Sequence, residues 1–152
     1  MFEARIDALV ADETLSNSRV FTNPDAAAKE VLNVMAPLSR EYNLEVGGNI
    51  LTRTVRGRVL YRYTIPVIGA EASVAVASSA IGYPTHPSGP LHFSNNIFHS
   101  SSEGNDAAWV RQSGRPLYLG VQSAAGGIGV AVCPPGNCSL VEYGGTAGRR
   151  IQ

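Results

Sequence analysis

The chain's three imidazoles, His86, His92 and His99, fall within 14 consecutive residues. Imidazole nitrogens bind zinc and move protons near neutral pH. A polar cluster carried on a loop is a stronger functional signal than one in a core. The plain alternative is three surface histidines sharing one polar loop. Three other residues could join such chemistry. Glu45, in Leu44-Glu45-Val46-Gly47-Gly48, could act as a general base, although taken alone it is an ordinary exposed acid. Ser94 follows Phe93 beside the histidines. Asp106 opens an expected helix, where an acid also simply suits the positive end of the dipole.

Other motifs carry less. Cys133 and Cys138 flank Pro134-Pro135-Gly136-Asn137, a tight turn that would permit a disulfide; two free thiols are the alternative. A two-cysteine zinc site would need two more ligands, and none is near in sequence. Gly126-Gly127-Ile128-Gly129 lies between expected strands, so it reads as a turn and not as a nucleotide fingerprint. Trp109 reads as a core residue, and Tyr61 and Tyr63 as packing residues on one strand face.

These residues need a scaffold. The 152 residues suit one domain, and 44% hydrophobic content is enough for a core. Residues 1–21 read as a lead-in or linker with a short helix near Ala4–Val10, and 22–152 as the domain. Asn23-Pro24-Asp25 is a helix start, with apolar residues at Ala27, Val31, Leu32, Met35 and Leu38. Pro37 is expected to end or kink that helix near Ala36. Strands are expected over Ile50–Val55, Val59–Val67 and Ser73–Ile81, with Arg56-Gly57 as a hairpin turn. Residues 82–104 read as a long loop, Asp106–Gln112 as a short helix, and Leu117–Val121, Ile128–Cys133 and Ser139–Tyr143 as final strands. The class is α+β, a mixed sheet of about six strands with two flanking helices.

Zero formal net charge removes the usual footprint of a nucleic-acid binder. Arg149-Arg150 reads as a solvated end and as the only dense basic cluster. No apolar run approaches the length of a membrane span, and the first residues lack the pattern of a secretory signal.

In order along the chain stand Glu45–Gly48, Tyr61–Gly69, Gly82-Tyr83-Pro84-Thr85-His86-Pro87, Phe93-Ser94 and Tyr118–Gly120. This order resembles the JAB/MPN (JAMM) metallopeptidases, and within them the JAB-related domain at the C-terminal ends of Rhs-type bacterial polymorphic toxins. The resemblance covers roughly residues 24–143. It implies a cytidine deaminase-like fold and a zinc site that hydrolyses a peptide or isopeptide bond. In that reading Glu45 is the base, Ser94 supports the oxyanion, and His86 and Asp106 are metal ligands. The family's first histidine is Pro84 here, which has no imidazole, so His92 or His99 would have to substitute, and His92 enters the proposed ligand set. An alternative for Asp106 pairs Phe93-Ser94 with Ile97, which cannot bind metal. The resemblance also implies a bacterial toxin or effector, delivered as part of a larger secreted protein and opposed by a cognate immunity protein. Two other readings remain open: a metal-free pseudoenzyme that binds a protein or peptide, and a toxin domain with metal-free chemistry through His86, Ser94 or Glu45.

Overall fold

The computed structural model describes residues 1–71, 74–89, 91, 106–134, 139–140, 146–147 and 149–152. In chain order these form α1 (Phe2–Ala11), α2 (Pro24–Tyr42), β1 (Val46–Val55), β2 (Arg58–Tyr63), β3 (Val67–Ile68) and β4 (Ile81–Pro84). Then come α3 (Asp106–Ser113), β5 (Leu117–Gln122), β6 (Ile128–Cys133), β7 (Ser139–Leu140), β8 (Thr146–Ala147) and β9 (Arg149–Arg150). The α+β class holds. One mixed sheet of seven strands runs β2-β1-β4-β5-β6-β9, with β3 also on β1, and β7 pairs with β8 apart from it. Among the described strands, β4 and β5 run parallel and the other pairings are antiparallel.

Local chemistry explains the main elements. The Asn23 side chain accepts a hydrogen bond from the Ala26 N–H at 2.8 Å, capping α2 behind Pro24. Its apolar stripe, Ala27, Ala28, Val31, Leu32 and Met35, is wholly buried against the sheet. Arg56 and Gly57 both take positive φ, which a two-residue β1–β2 turn requires. Alternation then gives the sheet two faces. Val46, Ile50, Tyr63, Tyr83 and Tyr118 join the α2 core, whereas Leu117, Leu119, Val121, Ala131 and Cys133 join Val110 of α3.

Four expectations change. α2 runs through Pro37 to Tyr42 instead of ending near Ala36. A proline inside a helix costs about 3 kcal/mol. Burial of Leu38 and Ser39 in the next turn, and Asn43 in the left-handed conformation as C-cap, offset it. The strand expected at Ser73–Ile81 lies later, at Ile81–Pro84. Residues 74–77 are irregular because their carbonyls are taken by side chains: Trp109 Nε1 donates to Val76 O at 3.1 Å and Asn49 Nδ2 to Ala77 O at 2.8 Å. The expected strand over Val59–Val67 divides at Pro66 into β2 and β3. The short helix expected near Ala4–Val10 is α1, Phe2–Ala11, but its segment, expected as a lead-in, packs into the core. Phe2, Ile6 and Leu15 from that segment are buried in the α2-side core, and Phe2 stacks on Tyr42 with centroids 4.5 Å apart.

Arg149 and Arg150 form the edge strand β9 on β6, with both side chains exposed. Cys133 is fully buried and disulfide-bonded; the only other cysteine, Cys138, lies outside the described residues. Of the last expected strand, Ser139–Leu140 is seen as β7, and the remainder lies outside them. Among the described residues, no helix is long and apolar enough to cross a membrane.

Candidate active site

The β1–β4 register builds the site. Gly47 pairs with Pro84 and Gly48 with Tyr83. Extending this ladder by two residues sets Glu45 opposite His86. The Thr85 N–H donates to Val46 O at 2.8 Å, which carries the ladder toward that point. Directly opposed residues on an antiparallel pair have Cβ atoms about 5 Å apart on one face. Glu45, Gly47, Pro84 and His86 therefore share a face, the one covered by α3.

Backbone contacts hold both residues. The Glu45 N–H donates to Ala70 O at 2.8 Å, and Glu45 O accepts from the Gly69 N–H at 2.8 Å. The His86 N–H donates to Gly120 O at 3.1 Å, fastening the end of β4 to β5. Asp106 opens α3, and its Oδ2 lies 3.1 Å from His86 Nε2. Glu45, His86 and Asp106 thus come together from three separate parts of the sequence.

The electrostatics follow from burial. Glu45 is only 9% exposed. Burial pushes its pKa up to about 7; nearby His86 opposes the rise and Asp106 adds to it. Burial alone would lower the His86 pKa, but the hydrogen bond and charge of Asp106, with Glu45 adding, raise it above the ordinary imidazole value. A carboxyl near 7 beside an imidazole held by a carboxylate suits proton transfer at neutral pH.

Behind the sheet lies a feature that sequence reasoning missed. Thr85 and Ser39 are fully buried. The Val46 N–H donates to Thr85 Oγ1 at 3.0 Å, the Thr85 hydroxyl donates to Ser39 Oγ at 2.7 Å, and the Ser39 hydroxyl donates to Leu44 O at 2.7 Å. The chain ties the residues on either side of Glu45 to the residue preceding His86. Strand alternation was the available signal, since Thr85 must point away from the face His86 uses.

Imidazole nitrogen and carboxylate oxygen are both zinc donors, so His86 and Asp106 suit two positions of a metal site. Pro84, buried in β4 on the same face, has no donor to add. Among the described residues, no group of three His, Cys, Asp or Glu side chains is arranged for a metal ion. His92, Ser94 and His99 lie outside them. Comparison with models of protein families, with curated proteins and with solved structures finds no match to the chain.

Proposed function

We propose that the chain is a JAB/MPN-like hydrolase domain that cleaves a peptide or isopeptide bond at the Glu45–His86–Asp106 site. The observation carrying this reading is the convergence of these three residues, whose types and order along the chain carry the resemblance. His86 and Asp106 would hold a zinc ion, with His92 as a further donor. Bound there, zinc would supply Lewis-acid activation of the scissile carbonyl. Glu45 takes the proton from the attacking water and passes it to the leaving amine, a task suited to a carboxyl with a pKa of about 7. Without metal, Asp106 holds His86 through Nε2; with zinc bound, both would turn to the metal, and Ser94 would support the developing oxyanion. The order of the motifs supports a bacterial toxin or effector setting, with delivery in a larger secreted chain and an immunity protein as partner.

Cleavage of quenched peptide and isopeptide substrates by zinc-loaded protein tests this. Glu45→Gln should reduce turnover about a hundredfold or more, the typical contribution of a general base. Wild-type turnover equal to that of Glu45→Gln would overturn the proposal.

Pro84 favours a second reading, a pseudoenzyme that keeps the groove and binds a protein or peptide without cleaving it. In that case Glu45→Gln would leave both partner affinity and biological activity intact.

A further inference from the structure

The β1–β2 hairpin has a second candidate surface, away from Glu45. Between Val46 and Ala70 the chain carries four arginines, Arg53, Arg56, Arg58 and Arg62, and no acidic residue. All four are exposed. None makes an ion pair among the described residues; Arg62 donates to Asn17 O at 3.2 Å.

Register sorts them. Ile50 and Tyr63 pair and both point into the α2-side core. Alternation puts the pairs of the other parity on the opposite face: Leu51 with Arg62, Arg53 with Leu60, and Val55 with Arg58. Each rung sets one guanidinium beside one aliphatic side chain, and the arginine changes strand from rung to rung. Arg53 is a diagonal neighbour of both Arg58 and Arg62, about 7–8 Å from each at the backbone, so its charge repels theirs. Leu51, Val55 and Leu60 are partly buried, yet they belong to neither core cluster. β4 pairs with β1 only as far as Ile50, so residues 51–55 project beyond it.

We propose that this face docks an acidic, extended polypeptide segment of a partner protein. Its carboxylates pair with Arg53, Arg58 and Arg62, and its aliphatic side chains cover Leu51, Val55 and Leu60. Carboxylates there would relieve the repulsion and form forked hydrogen bonds to guanidinium. The interleaved aliphatics favour a polypeptide over single-stranded nucleic acid, which is held by aromatic stacking that this face lacks. The inference stands apart from the hydrolase reading, because no residue in it belongs to the Glu45 site.

The probe is a labelled synthetic peptide alternating Glu with Val, beside its Gln-for-Glu counterpart, read by fluorescence anisotropy. At about 0.15 M salt, the Glu peptide should bind at least about tenfold tighter than the Gln peptide, and added salt should weaken it. The double variant R53E/R58E should lose about tenfold or more in affinity with its melting temperature unchanged, whereas R53K/R58K, which keeps the charge but not the forked donors, should lose less. Equal binding of the two peptides, or undiminished binding by R53E/R58E, would overturn the proposal. So would tighter binding of oligothymidylate or of anionic phospholipid vesicles. Salt-sensitive self-association abolished by R53E/R58E, with no peptide binding, would assign the face to a second copy of the chain and equally defeat it.

Discussion

Replacing Thr85 with valine keeps the shape of the side chain and removes its hydroxyl. Two hydrogen bonds disappear, the one accepted from the Val46 N–H at 3.0 Å and the one donated to Ser39 Oγ at 2.7 Å. Thr85 and Ser39 have no exposure, so water cannot replace the lost partners. A buried N–H left without an acceptor costs about 1–3 kcal/mol, and loss of the Ser39 contact adds about 1 kcal/mol. The expected loss for Thr85→Val is therefore about 2–4 kcal/mol by urea unfolding. For a domain of this size, that lowers the melting temperature by roughly 4–16 °C. Thr85→Ser keeps the hydroxyl and loses one methyl, so it should cost only about 1 kcal/mol. The contrast between the two is the test. A Thr85→Val loss under about 0.5 kcal/mol, or a Thr85→Ser loss equal to that of valine, would refute a hydroxyl chain behind the site.

Three further outcomes follow from the geometry. Burial lifts the Glu45 pKa from 4.5 to about 7, so the folded state binds its proton more tightly than the unfolded chain does. Stability of metal-free protein should fall as pH rises through that window, by at most about 3 kcal/mol. The raised His86 pKa acts in the same direction, its contribution being lost as pH climbs through the folded value. Glu45→Gln should flatten the pH dependence and stabilise the metal-free protein at about pH 8 by up to about 3 kcal/mol; a parallel curve for the variant would count against a buried carboxyl. Pro84→His places an imidazole donor on the face of Glu45 and His86, so elemental analysis should find zinc retention raised above wild type. No gain would mean that this face does not gather ligands. At Gly82, an added Cβ would lie 2.6 Å from Leu117 Cδ1 and 2.7 Å from Val76 Cγ1, so Gly82→Ala should destabilise by about 1–3 kcal/mol in thermal melts. A neutral result would show that α3 and residues 74–78 pack more loosely than described.

Local signals foretold much of the scaffold. The cap at Asn23, the Arg56-Gly57 turn and the limits of β6 each rest on a few neighbouring residues, which sequence displays directly. The position of Glu45 opposite His86 was legible only as a motif order, because it depends on a register set across 41 residues of chain. Residues 74–78 escaped prediction for a similar reason: their carbonyls are satisfied by Asn49, Trp109 and Arg115, all distant in sequence. α1 left a clearer trace, since Phe2, Ile6 and Leu9 fall at helical spacing and a helix was expected there; its docking on the α2-side core depends on distant partners such as Tyr42. The arginine face was hidden by the zero net charge, which averages a basic hairpin with an acidic N-terminal segment. Only strand pairing reveals that three of those arginines share a side.

Hydrolase and pseudoenzyme part on whether Glu45, His86 and Asp106 form one metal-supported reaction centre. Anomalous diffraction from zinc-soaked crystals addresses that directly. A metal-supported centre requires a zinc peak within bonding distance of both His86 Nε2 and Asp106, absent from His86→Ala crystals; continuous density for a direct His86–Asp106 ion pair, with no anomalous peak beside it at saturating zinc, would contradict it.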